Sequence, residues 1–291
     1  MKRGNFKFGS NLRWCFVLVM VLVFNTTQAQ RRLDAKGGIS AFLDTQWWLG
    51  LKFGTNVTSP IIGDRYSVLS PVNYAESDLD KAYDDFTIPG FQAGLDATFY
   101  TKGFSIGIQP AFKFVVFSYE NRLNWELGGQ QEAFSTRYQI RQGLNTLEVP
   151  LTVKYDLIKR GKLRPYVIAG GFYSFVLSGR KKVEVDHRDA ILNTDIDGGE
   201  VTIGKNDEFK DYAGVLGGVG ASFDYGNIRI LLDITYQRAL LSAIEPEALF
   251  TENQLFAIGN ITDDISLSHI NASLGIVFPL RFIDNTFQSS R

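Results

Sequence analysis

The sequence predicts an all-β protein, an eight-stranded antiparallel transmembrane β-barrel of the outer-membrane type. Three observations lead to this fold class. Segments of about ten residues alternate between apolar and polar side chains, the N-terminal stretch is typical of an export signal, and the connections between segments are long and short in turn. No apolar run long enough for a membrane-spanning helix follows that N-terminal stretch.

Residues 147–157 show the alternation most clearly. Most even positions are polar or charged, and every odd position is apolar: Leu147, Val149, Leu151, Val153, Tyr155 and Leu157. Successive side chains of a strand point to opposite faces, so this strand has one apolar and one charged face. Repeated behind an export signal, the pattern indicates strands that are apolar toward lipid and polar toward the lumen. A soluble periplasmic barrel of the lipocalin type is the alternative.

Seven further segments carry the same signal to different degrees. Strand five is apolar on both faces, so its facing stays open. A Gly226-Asn227 turn matches the short hairpins that Gly and Asn favour. The eight predicted strands cover about residues 47–57, 90–100, 104–119, 147–157, 164–178, 212–225, 228–237 and 266–282.

The connections predict the topology. Long polar segments alternate with short turns, as in outer-membrane barrels with long extracellular loops and short periplasmic turns. Both ends of the barrel then lie in the periplasm. The long segments are 58–88, 119–142, 179–210 and 242–265, with a helical turn near Glu245, and the short ones are 101–103, 158–163 and 225–227.

The N-terminal stretch predicts export. A basic region precedes an apolar run at 15–24, and Thr27-Gln28-Ala29 supplies small residues for cleavage. The run is too short to cross about 30 Å of hydrocarbon as a helix, although a retained anchor is an alternative. The predicted organisation is a signal peptide at 1–29, a periplasmic lead-in at 30–46, the outer-membrane barrel at 47–282 and a C-terminal tail at 283–291. Phe282 is a candidate recognition element for barrel insertion.

Charge and cysteine content exclude several function classes. The chain has 30 Lys and Arg against 31 Asp and Glu, and removal of the signal leaves 26 against 31. An acidic mature chain argues against a nucleic-acid partner. The only cysteine, Cys15, lies within the signal, so neither disulfides nor thiol chemistry are expected.

The inward positions of the predicted strands carry many charges of both signs. Eight strands enclose a bore that side chains just fill, so we expect an ion-paired polar lumen. A selective pore or a proton path is the alternative. The predicted lumen network comprises Lys52, Asp96, Lys113, Glu148, Lys154, Asp156, Asp224, Arg229, Asp233 and Arg281.

Aromatic residues cluster near the ends of the predicted strands. Rings with a polar tip prefer the membrane–water interface, which predicts aromatic girdles. Carbohydrate stacking is the alternative. The predicted girdle comprises Trp47, Phe53, Phe99, Phe104, Tyr155, Tyr166, Phe223 and Tyr236.

Neither histidine predicts catalysis. His187 lies in a charged predicted loop, and His269 lies at the mouth of the last strand beside Ser268. Sequence neighbours in a strand point to opposite faces, so Ser268 and His269 do not form a dyad. Metal binding by Asp186, His187 and Asp189 is an alternative to a solvated acidic loop. No catalytic residue, cofactor or metal is therefore predicted.

Four stretches resemble the PorT-like outer-membrane barrels of Bacteroidetes. They are residues 147–155 and 164–171, which flank a short basic turn, the opening 49–56, and the glycine-rich 214–220. The resemblance implies the barrel fold and an outer-membrane location. The family includes a component linked to type IX secretion and gliding, and many members without an assigned role, so only fold and location are carried over.

The sequence therefore predicts a non-enzymatic structural or interaction protein of the outer membrane. Its expected partners are outer-membrane lipid and a protein of the membrane or periplasm, and a secretion assembly is one setting in which such a protein would be met. A lipid- or peptide-modifying surface enzyme and a small-solute channel are the alternatives.

Overall fold

The computed structural model describes residues 45–66, 81–127, 130–159, 161–189, 192, 194–204, 208–225, 228–245 and 261–280. The predicted signal peptide, the C-terminal tail, Arg281 and Phe282 lie outside these residues, as does the predicted lead-in except for its last two residues. The described strands are β1 (Thr45–Ile62), β2 (Lys81–Tyr83), β3 (Pro89–Thr101), β4 (Phe104–Ile108), β5 (Ala111–Leu127), β6 (Gln130–Asp156), β7 (Leu163–Asp189), β8 (Thr194–Gly204), β9 (Tyr212–Tyr225), β10 (Ile228–Ala239) and β11 (Ile265–Pro279).

The strands form a closed antiparallel ring. Its order is β1, β3, β4 with β5, β6, β7, β9, β10 and β11, and β11 pairs with β1 from Trp48↔Pro279 to Ile62↔Ile265. Strands β4 and β5 form one ring position, interrupted at Pro110, which has no amide hydrogen for the ladder. The predicted eight-stranded barrel is therefore confirmed.

The outward side chains show where the membrane ends. Along β6 the outward positions are Leu147, Leu151 and Val153, all well exposed. Beyond Leu147 the outward positions become Asn145, Arg141 and Arg137. The apolar belt therefore covers the half of the barrel next to the short turns, and the charged half projects into water on the side of the long connections, which is extracellular in outer-membrane barrels.

The extracellular half is a sheet where the sequence predicted loops. The predicted loop 119–142 forms the ends of β5 and β6, and 179–210 contains the end of β7 and all of β8. Strand β6 pairs with β7 as far as Phe134↔Asp189, and β8 pairs with β7 from Arg180↔Gly204 to Asp189↔Thr194. These two loop predictions were wrong, because polar outward side chains removed the apolar alternation on which they depended. We call β8 and the parts of β5, β6 and β7 beyond the belt the extracellular extension.

A β-bulge explains why strand five showed no alternation. Thr146 pairs with Val176 but the preceding Asn145 pairs with Ser178, so Leu177 is the extra residue of β7. A bulge shifts the alternation of its strand by one position. Even positions up to Ser174 point inward before the bulge, and odd positions from Gly179 onward point inward after it.

The turn at Lys102 and Gly103 matches the predicted turn at 101–103. Both residues have positive φ, 47° and 97°, and they join Thr101↔Phe104. Two such residues form the primed turn that fits the twist of a hairpin. Among the residues that the structure describes, no helix has the length and apolar character of a membrane span.

Candidate functional site: the filled lumen

The lumen contains polar side chains in layers, beginning at the periplasmic end. There Asp224 accepts hydrogen bonds from Arg229 Nε at 2.6 Å and from Arg164 Nη2. Arg164 Nη1 lies 3.8 Å from Asp156. The Arg229 guanidinium stacks 4.0 Å from the centre of the Trp48 ring, a cation–π contact. Two arginines and two carboxylates thus balance in this layer.

Asp233 is the centre of the middle layer. Lys52 Nζ donates to its Oδ2 at 2.5 Å, Lys154 Nζ lies 3.5 Å from the same oxygen, and the Tyr166 hydroxyl donates to Oδ1. Lys154 also lies 3.9 Å from Asp96. Two lysines therefore face two carboxylates, with no net charge between them.

Gln109 links Asp96 to Lys52 in the middle layer. Its Nε2 donates to Asp96 at 2.7 Å, and its Oε1 accepts from Lys52 Nζ at 3.1 Å. Thr98 donates to the other oxygen of Asp96 at 2.5 Å. Buried charges are tolerated where hydrogen bonds satisfy their remaining atoms, and the two carboxylates of this layer meet that condition.

The third layer, closest to the extension, contains one ion pair. Lys113 Nζ donates to Glu148 at 3.1 Å and to Gln237 Oε1 at 2.6 Å, and Gln237 Nε2 returns a bond to Glu148 at 2.8 Å. Lys113 is completely buried and Glu148 nearly so. The triangle holds both charges of this layer within the wall of β5, β6 and β10.

An apolar plug lies above the third layer. The inward positions that follow Lys113 on β5 and precede His269 on β11 are aliphatic or aromatic, and all are buried. Phe117 and Phe209 meet edge to face with ring centres 6.4 Å apart. The plug consists of Val115, Phe117, Leu144, Phe209, Ile244, Ile265 and Leu267. It covers the polar lumen from the extracellular side.

Two more ion pairs are buried on the extracellular side, one on β7 of the extension and one on β2. Lys181 Nζ donates to Glu208 at 2.9 Å and to Thr262 at 2.6 Å. Lys81 donates to Asp263, which also accepts from the Tyr83 hydroxyl at 3.0 Å. Burial lowers the pKa of both lysines from the ordinary value of 10.5, because removal from water disfavours the charged form.

The structure brings the predicted lumen residues together as follows. Asp156, Asp224 and Arg229 lie in the periplasmic layer, and Lys113 and Glu148 in the third. The middle layer holds the remaining described members, Lys52, Asp96, Lys154 and Asp233. Arg281 lies beyond the described residues.

Tyr166 was wrongly assigned to the girdle. Its side chain is 2% exposed and points into the lumen, where it contacts Asp233 and lies under Lys154. The physical reason is its even position before the bulge of β7, which places it on the same face as Arg164. Because strand five shows no alternation, aromatic character alone predicts an interface position for Tyr166.

The other predicted girdle residues point outward. Phe99 and Tyr155 are half-buried, and Trp47 contacts Phe99 with ring centres 5.1 Å apart at the periplasmic end. The rest are about 40–56% exposed, and among them Phe53 pairs with Leu274 at mid-belt instead of at an edge. Those more exposed residues are Trp47, Phe53, Phe104, Phe223 and Tyr236.

Sequence reasoning missed Arg164, Gln109 and Gln237 as members of the network. A signal for Arg164 existed: a charged residue within a lipid-spanning strand has to face inward, which would have fixed the facing of strand five. Gln237 also had a signal, because it lies on the same face of the predicted strand 228–237 as Arg229 and Asp233.

The two histidines are held by neighbouring hydroxyls. His269 is fully buried, with Nδ1 2.8 Å from Thr58 Oγ1 and Nε2 3.5 Å from the Tyr212 hydroxyl. Ser268 Oγ donates to the carbonyl of Ser59 at 2.9 Å. His187 Nδ1 lies 3.0 Å from Thr136 Oγ1. Each ring therefore has a hydroxyl partner, and Ser268 is directed to the backbone.

The three residues that the sequence offers as an alternative metal site lie on β7. Asp186 pairs with Arg137 and points outward, whereas His187 pairs with Thr136 and points inward. Across the described ranges, no three His, Cys, Asp or Glu side chains are placed to hold a metal ion.

A family model described as an outer membrane protein beta-barrel domain matches residues 28–245. The chain belongs to this family. Its place is therefore the outer membrane, and the long connections lie outside the cell. No curated protein matches the chain.

Solved outer-membrane proteins resemble this barrel at low identity. The attachment invasion locus protein Ail of Yersinia pestis is 10% identical, with 80% of this chain and 99% of that chain covered and a TM-score of 0.31. Neisserial surface protein A is 11% identical, with 79% and 96% covered and a TM-score of 0.31. The outer membrane protein AlkL is 12% identical, with 81% and 90% covered and a TM-score of 0.36.

Proposed function

We propose that this barrel is a non-enzymatic, non-conducting protein that acts by binding a protein partner through its extracellular extension. The observation that carries the proposal is the lumen, where balanced ion pairs lie beneath an apolar plug. A conducting bore needs a continuous polar path and a fixed electric field along it. Here the positive and negative charges neutralise each other within each layer. The outer surface of the extension is then the surface that remains for function.

The extension offers what a recognition surface needs. Its strands are held rigidly by an apolar interior that includes Ile140, Val183 and Ile203. Its outward face carries charges of both signs, such as Arg137 paired with Glu120 at 2.6 Å. Mixed charge on a rigid support favours specific contact with a protein of complementary pattern.

The finer family assignment is also a proposal. The resemblance of 147–155 and 164–171 to PorT-like barrels supports membership in that branch and an origin in Bacteroidetes. The basic and apolar pattern of 1–29 supports removal of a signal peptide on export.

Planar-bilayer recording of the purified barrel tests the closed lumen. We expect a flat trace under applied voltage, and stepwise openings would overturn the proposal. Replacement of His187 by Gln tests the non-enzymatic part, because this histidine can be changed without opening the lumen. We expect growth and surface display to be unchanged.

Crosslinking in intact cells tests the partner. A photoreactive residue at Glu184, on the outward face of the extension, should give one discrete crosslinked protein. A matched residue at Leu274, within the lipid belt, should not give that product. Equal crosslinking from both positions, or none from Glu184, would contradict a partner on the extension.

A further inference from the structure

A groove of about 570 Å³ lies on the outer wall of the barrel where the apolar belt ends. It is outside the lumen and outside the apolar interior of the extension. Strands β5, β6 and β7 form it, and its main lining residues are Phe114, Val116, Arg141, Gly143, Arg180 and Lys182.

The strand register shows how the wall changes from apolar to charged. The row at Leu147 joins Phe112 and Phe175, and all three point toward lipid. Two rows further out, Gly143 pairs with Val116 on one side and Arg180 on the other. One end of the groove therefore faces the lipid, and the other end is lined by charged side chains.

Gly143 creates the space in this wall. A Cβ atom at this position would lie 3.3 Å from the Phe114 ring, and glycine leaves the place open. The missing side chain falls between the Phe114 ring on β5 and the backbone of Arg180 on β7. A ligand that enters here meets both an apolar and a cationic wall.

The cations of the groove lack the partners that neighbouring arginines have. Arg122 and Arg137 share Glu120, and Arg188 lies 3.9 Å from Asp195. Across the part of the chain that the structure describes, no carboxylate pairs with Arg141 or Arg180.

Like charges stand opposite each other at the same place. Arg141 is the cross-strand partner of Lys182, and such pairs are destabilising unless an anion joins them. Lys182 is already held by Glu184 at 2.7 Å and Glu200 at 3.0 Å. The free positive charge of the groove is therefore that of Arg141 and Arg180.

We propose that this groove binds the phosphate of an anionic phospholipid or glycolipid in the outer leaflet, with Arg141 and Arg180 on the phosphate and an acyl chain against Phe114. The two arginines are diagonal neighbours on paired strands, at about 7–8 Å, so both guanidinium forks reach one phosphate. Guanidinium binds phosphate in a bidentate manner. A lipid joins headgroup charge and acyl chain at this depth, which a soluble anion does not. This inference goes beyond the proposed protein partner and does not depend on it.

Native mass spectrometry of the detergent-purified barrel with diphosphoryl lipid A as the probe tests the inference. We expect one retained lipid on the wild type and at least a tenfold weaker affinity for R141Q/R180Q. The matched control is R188Q, which removes an exposed arginine of the same strand farther from the belt. Equal affinity in wild type and double variant, or an equal loss in R188Q, would overturn the site.

Two further arms separate lipid from other anions. Excess inorganic phosphate should not displace the lipid, and phosphatidylcholine should not be retained. Displacement by phosphate alone would overturn the lipid assignment. Gly143→Leu keeps all charges and fills the groove, so it should also reduce retention; full retention would contradict the role of the groove. Faster gel migration before heating shows that each variant is folded.

Discussion

Asp233 offers the sharpest test of the charge-balanced lumen. Its carboxylate is 1% exposed, forms ion pairs with Lys52 and Lys154, and accepts a hydrogen bond from the Tyr166 hydroxyl. In D233N, Asp96 alone faces two buried lysines, and it lies 3.9 Å from the nearer one. Removing one partner of a buried ion pair costs about 3–5 kcal/mol, so we expect the free energy of unfolding to fall by that amount.

Urea unfolding of the barrel in lipid vesicles, followed by tryptophan fluorescence, measures this loss. The double variant D233N/K52M restores one lysine to one carboxylate and should recover at least half of the lost stability. The matched control is E184Q, whose pair with Lys182 is exposed to water and should leave the free energy of unfolding nearly unchanged. A D233N protein within about 1 kcal/mol of wild type, or no recovery in the double variant, would refute the balanced layer.

Three further results are expected. Y166F loses the hydroxyl that donates to Asp233 and should lower the free energy of unfolding by about 1.5–3 kcal/mol. Y155F, on the outer wall, should leave this free energy nearly unchanged. Equal effects of the two variants in urea unfolding would contradict the position of Tyr166 in the lumen. Gly220→Ala places a Cβ 2.5 Å from Asp233 and from the Tyr166 ring, and the same assay should show about 1–3 kcal/mol of destabilisation. Burial lowers the pKa of Lys181, so at this residue the unfolded chain binds more protons between that pKa and 10.5. The contribution of Lys181 to stability therefore rises with pH in this window, and K181M should lower the measured slope of stability against pH relative to the wild type.

The sequence predicted the membrane-spanning half of the barrel well because lipid imposes a strict rule there. Every outward position of residues 147–157 has to be apolar, so the alternation is visible without any tertiary information. The extension obeys no such rule. Arg137, Gln139 and Arg141 face water while Tyr138 and Ile140 face an interior formed by distant segments, and that alternation is of the weak kind found on any polar surface.

The candidate lumen was predictable as a set of inward charges but not as layers. Which lysine meets which carboxylate depends on the register between strands, and register follows from the closed ring. The Leu177 bulge is the clearest case, because one inserted residue decides that both Tyr166 and Lys181 face inward. Gly179, two residues beyond the insertion, is the nearest sequence signal, but a glycine does not identify which residue is the extra one.

The closing pair of strands sets the order in which the molecule can be assembled. Lys52 meets Asp233 across 181 positions of the chain, and β1 finds its outer neighbour only when β11 arrives. Contacts so distant in sequence form slowly, since the intervening chain has to be ordered first. One edge of β1 therefore has no strand to pair with until nearly all of the chain has crossed the inner membrane. A product that stops short of β11 should be degraded as a whole, because β1 and β10 would each keep an unpaired edge.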